Sequence, residues 1–229
     1  MKMLLPKIKL WAYALVLIIL IAVVLVVIPK PSTRDIARSH WLNAPECTPP
    51  CWNGITPGQS VEDSLYILNR DPWITDIEVV EYRSINIGEI HWNWVVSSAS
   101  GGRIFFYLGE TNQDSEIYAI LPGYGCCMGL GDIIHLYGEP DYVLVQIVHH
   151  TDFPTPEDVI SYYTLVWIDK GFLVDGYPKA ETWINEDFQI ASVVFFVPTL
   201  AGYLAYEGNA GANAVPWHGY DDGLNYIIP

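Results

Sequence analysis

The longest apolar run in the chain is Leu10–Ile28, which contains nineteen residues and no charged side chain. A helix of this length extends for about 28 Å, enough to cross the hydrocarbon core of a bilayer. The preceding residues 1–9 carry three lysines and no acid, which is typical of a cytoplasmic flank. We therefore predict an uncleaved transmembrane signal anchor over residues 1–29. A cleaved signal peptide is the alternative, although the run ends without a small-residue cleavage site.

After a proline-rich linker and strap over residues 30–53, the pattern of a short helix occurs twice. The first helix follows Ser60, a favourable N-cap residue with Asp63 three positions later, and it ends before Pro72. The second begins near Gly129 and stops at Gly138, a residue type that commonly follows a helix C-terminus. Both helices are therefore predicted from their end signals as well as from their apolar positions.

Runs rich in Val, Ile, Tyr, Phe and Trp follow each helix and predict strands. They are Ile90–Val96, Arg103–Gly109 and Glu116–Leu121 after the first helix, and Tyr142–Val148, Ser161–Ile168 and Ile190–Val197 after the second. We therefore predict an α+β fold, in which the transmembrane helix is followed by two units, each a short helix with an antiparallel sheet. The units cover residues 54–122 and 125–198, and a Gly/Ala/aromatic tail covers residues 199–229.

Two short motifs carry a resemblance to known proteins. The segments G-I-T-P-G-Q-S at 54–60 and Y-G-E-P-D at 137–141 resemble the small envelope domains of the BamE/SmpA type, and the tandem plan is similar to that of the β-lactamase inhibitor protein. The opening C-T-P-P-C-W-N-G-I-T-P-G at 47–58 also looks like uncharacterised extracytoplasmic bacterial proteins. The chain departs from the pattern at 69–72, where Asn-Arg-Asp-Pro replaces Leu-Gly-x-Pro. The resemblance implies a role in protein binding or assembly.

The charge of the chain excludes one large class of function. Lys and Arg number 11 against 26 acids, and the formal net charge is −15. Because a nucleic-acid-binding protein needs a basic surface to follow phosphates, no nucleic-acid partner is expected. The aromatic content of 14% is typical of a folded domain with a substantial core.

The four cysteines, Cys47, Cys51, Cys126 and Cys127, all follow the predicted membrane span. An even number in such a chain predicts disulfide bonds in an oxidising compartment, and hence a body on the extracytoplasmic side of the cell membrane. Free buried thiols and a metal site are the alternatives. A bridge between adjacent cysteines is strained, and two prolines stiffen the segment between the first two. We therefore expect each strap cysteine to pair with one of the 126–127 pair.

Standard catalytic and nucleotide-binding motifs are missing from the sequence. His149 and His150 with Asp152 form the densest polar cluster, but neighbouring side chains of a strand point to opposite faces, so we interpret them as a solvated strand end. Adjacent carboxylates that a hydrolase could use stand at 62–63, 157–158, 186–187 and 221–222. In so acidic a chain such pairs arise by chance. No cofactor, metal site or catalytic residue is therefore predicted.

The most distinctive pattern is aromatic. Strand periodicity places Trp92 and Trp94 on one face, with His91 on the other, and it aligns Tyr163 with Trp167. These aromatic faces have two interpretations. They are core between the units, or they are a concave surface for a partner, since Trp and Tyr are favoured binding anchors.

The sequence thus favours a membrane-anchored extracytoplasmic protein that acts as a non-catalytic binding or envelope scaffold module. Its expected partners are an envelope protein and, through Leu10–Ile28, the membrane. The alternative is an envelope hydrolase that uses a carboxylate pair on glycan or peptide.

Overall fold

The computed structural model describes residues 47–94, 101–123, 129–149, 159–176 and 183–226. Within these ranges the helices are α1 (Val61–Leu68), α2 (Leu130–Tyr137) and α3 (Leu200–Glu207). The strands are β1 (Ile74–Tyr82), β2 (Ile87–Trp94), β3 (Arg103–Tyr107), β4 (Glu116–Leu121), β5 (Tyr142–His149), β6 (Val159–Trp167), β7 (Phe172–Gly176), β8 (Trp183–Ile184), β9 (Ile190–Phe196), β10 (Val215–Pro216) and β11 (Asp221–Asp222). Single 3₁₀ turns cover Gly208–Asn213 and Gly223–Tyr226.

Nine of these strands form one antiparallel sheet in the order β1-β2-β3-β4-β9-β7-β6-β5-β10. We call α1 with β1 to β4 the first half, and α2 with β5, β6, β7 and β9 the second half. The halves join where β4 pairs with β9, with Ala119 opposite Phe196 and Ile120 opposite Phe195. The short strands β8 and β11 pair separately.

The helix ends follow from local chemistry. The Ser60 hydroxyl accepts a hydrogen bond from the Asp63 backbone amide at 3.2 Å, so the predicted N-cap of α1 is confirmed. At the end of α2, Gly138 has a φ of +80°, and its amide donates to the Ile134 carbonyl at 2.8 Å. The prediction that Gly138 ends the second helix is therefore also confirmed.

The sheet has a core on each face. The inner face packs against α1 and α2 through residues such as Val61, Leu68, Leu130 and Ile133. The outer face carries a second core beneath α3, in which Tyr203 packs with buried residues of β4, β6, β7 and β9. Val193 and Val194 lie in different cores, as the alternation of side chains along a strand requires.

The predicted fold class is wrong in its description of the body. Two separate helix-and-sheet units were expected, whereas one continuous, mostly antiparallel sheet runs through both halves. Pairing of β4 with β9 satisfies backbone groups that would otherwise form two exposed sheet edges. The helix α3 and five strands also lie outside the elements that the sequence predicted, and these strands are β1, β7, β8, β10 and β11.

The prediction of a single-pass cell-membrane protein with an extracytoplasmic body is likewise contradicted. In the part of the chain that the structure describes, no helix is long and apolar enough to cross a membrane. The span predicted at Leu10–Ile28 lies outside the described residues.

The predicted disulfide connectivity is wrong for the strap cysteines. Cys47 is bonded to Cys51, and their Cα atoms are 5.2 Å apart. A turn closed by the Cys51 amide and the Thr48 carbonyl at 3.0 Å brings the two Cα atoms into the range that a disulfide needs. Cys126 and Cys127 lie outside the described residues.

Candidate binding face

The outer face of the second half is covered by the helix α3. Val166, Leu173, Val194 and Phe196 are buried there, and the Phe196 ring lies 5.8 Å from that of Tyr203 on α3. Close approach of α3 depends on Gly202, because a Cβ at this position would lie 2.2 Å from the Val197 carbonyl oxygen. The second half therefore presents no apolar strand face to solvent where α3 lies.

On the corresponding face of the first half, the core beneath α3 reaches β4 and Phe105 of β3 but includes no described residue of β1 or β2. Strand register places the following side chains there, and we call them the open face: Val80, Tyr82, Ile87, Glu89, His91, Arg103, Phe105, Tyr107 and Tyr118. Tyr82 is 42% exposed and Tyr107 is 44% exposed. This is the largest difference between the two halves of the sheet.

Aromatic rings line the part of the open face nearest the centre of the sheet. Tyr107 stacks on Tyr118 with ring centroids 4.6 Å apart, and Phe105 lies 6.1 Å from Tyr118. Phe105 also contacts Tyr206 of α3 at 5.9 Å, so the aromatic strip begins where the cover of the second half ends. Rings fixed in this way are rigid, which lowers the entropic cost of binding a partner.

A charged group stands beside the aromatic strip. The Glu89 Oε2 atom lies 2.7 Å from His91 Nε2 and 4.0 Å from Arg103 Nη1. Burial, reinforced by Tyr107 and the negative charge of Glu89, raises the pKa of Tyr118 to about 12. Tyr118 therefore stays neutral at physiological pH.

A polar cavity of about 430 Å³ opens at the adjacent end of the first half. It lies between the β1–β2 turn and the β3–β4 loop, and its lining includes Glu81, Arg83, Asn86, Glu110 and Thr111. β1 ends at Tyr82 and β3 at Tyr107, so the two exposed tyrosines adjoin this cavity along the chain. Neighbouring side chains of a strand point to opposite faces, so Glu81 and Leu108, which line the cavity, lie on the opposite side of the sheet from these tyrosines. The cavity is therefore not part of the open face.

The described residues of the open face combine an ion pair with exposed aromatic rings. His91 and Glu89 are paired like the base and orienting acid of a hydrolase, but no serine, threonine or cysteine of the described residues is hydrogen-bonded to His91. Groups of three or more His, Cys, Asp or Glu that could hold a metal are also missing from the described part of the chain. The open face therefore contains two exposed tyrosines, a rigid aromatic strip and the Glu89 carboxylate, which lies beside His91 and Arg103.

The aromatic residues singled out from the sequence lie elsewhere. Trp92, Tyr163 and Trp167 are 1–2% exposed in the inner-face core, and Trp94 packs against that core. Trp92 stacks on Trp52 at 5.1 Å. This placement corresponds to the core interpretation of these residues, and it leaves the three buried rings without the exposed surface that a partner contact needs.

The other candidates do not converge on one site. Glu62 and Asp63 lie on α1, Glu186 and Asp187 in the loop before β9, and Asp221 and Asp222 in β11. Glu157, Asp158, His150 and Asp152 lie outside the described residues, as does the side chain of His149.

The open face was not predicted from the sequence, because β1 was not predicted and because the tryptophans were chosen as the candidate binding residues. The alternation of His91 with Trp92 was the signal that could have revealed it.

Comparison with known proteins adds no relative. No protein-family model matches the chain, and neither curated proteins nor solved structures contain a significant match.

Proposed function

We propose that this protein is a non-catalytic binding module that holds a positively charged protein segment on its open face. The observation that carries the proposal is the contrast across one sheet. The second half buries its outer face under α3, whereas the first half leaves Tyr82 and Tyr107 more than 40% exposed. An aromatic face that the described residues leave uncovered is suited to a partner.

Charge identifies the kind of partner. The chain carries a formal net charge of −15, which attracts basic segments and repels nucleic acid. On the open face, a lysine or arginine can lie over the exposed Tyr107 ring in a cation–π contact. Glu89 beside the rings supplies negative charge for a further basic group.

The resemblance to BamE/SmpA-like domains supports the same conclusion, since it implies binding or assembly rather than catalysis. An envelope protein stays a prediction for the partner's identity.

The experiment is a titration of the full chain with two synthetic peptides of equal length, one rich in Arg and Lys and one with Glu in their place. We expect the basic peptide alone to bind, with an affinity that falls as salt rises. Tyr107→Ala should weaken that binding about tenfold, the usual cost of removing an aromatic anchor. Tyr66→Ala is the matched control, because Tyr66 is a 62% exposed tyrosine on α1. Equal binding of both peptides, or equal losses in the two variants, would show that the open face is not the recognition site.

A further inference from the structure

A buried polar cluster lies between α3 and the outer face of the second half. At its centre is Asp175 of β7, which is 5% exposed. Its carboxylate accepts hydrogen bonds from the Thr164 hydroxyl at 2.8 Å and the Ser192 hydroxyl at 2.7 Å. Both hydroxyl groups belong to fully buried residues on the strands that flank β7. The sheet therefore holds this carboxylate rigidly beneath the helix.

The helix contributes two polar side chains that lack such partners. Tyr203 and Glu207 are four residues apart on α3, so they lie on the same side of the helix. Tyr203 is 1% exposed, and its hydroxyl has no hydrogen-bond partner among the described residues. The ion pairs found in the described ranges include neither Glu207 nor Asp175. Glu207 on the helix and Asp175 on the sheet thus belong to the two sides of one interface, and no ion pair of the described residues neutralises either.

Burial and, after it, the charge of Asp175 raise the pKa of Glu207 to about 7. Burial also raises the pKa of Asp175, against the hydrogen bonds from Ser192, Tyr162 and Thr164 that favour its charged form. The pKa of Tyr203 is raised by its burial and then by both carboxylates. These are the titratable groups that act on Glu207 and Tyr203 from the sheet and from α3, and among the described residues none of them is positively charged.

We propose that Glu207, Tyr203 and Asp175 form a proton-operated latch that fastens α3 to the second half. When Glu207 is protonated, the pair carries at most one negative charge and α3 stays docked. When Glu207 loses its proton, two carboxylates oppose each other across the interface and α3 is released. Release exposes the outer-face residues that α3 covers, among them Val194 and Phe196. This inference does not depend on the open face or on its partner.

The direction of the effect follows from linkage. A carboxyl group whose pKa is higher when the helix is docked contributes stability that is fully present below its free value of 4.5 and is lost as pH rises through about 7. With these two values, the docking equilibrium should weaken about tenfold between pH 6 and pH 8.

The test is hydrogen exchange of the full chain at pH 6 and pH 8, corrected for intrinsic exchange rates. Protection of α3 should fall about tenfold between these pH values, while protection of α1 should be unchanged. Glu207→Gln, which mimics the protonated side chain, should keep α3 protected at pH 8 and abolish the pH response. Glu62→Gln, an exposed change on α1, should leave the response intact.

Three results would overturn the latch. They are an unchanged α3 in the wild-type chain, a pH response that survives Glu207→Gln, or full restoration of protection at pH 8 by millimolar Ca²⁺ or Mg²⁺. The last result would mean that the carboxyl pair takes up a cation rather than a proton.

Discussion

The two halves of the sheet share one plan on the inner face and differ on the outer face. In each half a short helix packs on the inner face of four antiparallel strands. In the second half, every residue of β7 is buried, because α1 and α2 lie on one side of the sheet and α3 lies on the other. In the first half, most of β1 is exposed or half-buried. The strand covered on both faces keeps one ionisable side chain, Asp175, which is buried among hydroxyl donors. The strand β1 carries exposed polar and charged positions.

The largest effect should come from shortening a side chain under α3. Phe196→Ala removes a fully buried ring that contacts Tyr203, and we expect it to lower the free energy of unfolding by about 3–5 kcal/mol. Tyr107→Ala, a change of similar size on the open face, should cost about 1 kcal/mol, the loss of one exposed ring pair. Denaturant unfolding of the two variants measures the difference. Equal losses would mean that the two outer faces are equally covered.

A smaller effect should come from the N-caps of α1 and α3. It should distinguish the helix on the inner face of the sheet from the helix on the outer face. The Thr199 hydroxyl accepts from the Gly202 amide at 3.0 Å, as Ser60 does for α1. Thr199→Ala and Ser60→Ala should each cost about 1 kcal/mol.

The two cap variants differ in where the loss appears. Thr199→Ala should increase hydrogen exchange in α3 and expose the outer face of the second half. Ser60→Ala should increase hydrogen exchange in α1 alone. Increased exchange in both helices of either variant would contradict independent docking of α3.

Local features of the fold were predictable from the sequence. Ser60 and Gly138 mark helix ends through hydrogen bonds and backbone conformations that involve only nearby residues. The strand Glu116–Leu121 was predicted with its observed bounds, because a β-rich run stands between clear loop signals. Such features depend on a few neighbouring residues, so a single sequence contains the information.

Features that depend on distant contacts were not predictable. In β1 the pairing register shifts between Thr75 and Glu78, and Asp76 has a φ of +52°. This irregularity breaks the alternation by which a strand is recognised. The junction of β4 with β9 consists of two residue pairs from distant parts of the chain. The sequence of neither strand indicates which strand it pairs with. The open face depends on both features, which is why it could not be located in advance.

The most direct test of the account is the solvent accessibility of tyrosines on the two outer faces. Hydroxyl-radical footprinting of the native full chain, read residue by residue, compares Tyr82 and Tyr107 of the open face with Tyr203 on the buried side of α3. Because the first two are more than 40% exposed and Tyr203 is 1% exposed, we expect Tyr82 and Tyr107 to be modified at least about tenfold faster, roughly in line with their exposure. Protection of Tyr82 and Tyr107 to the level of Tyr203 would show that the first half is also covered, and it would contradict the open face as a binding surface.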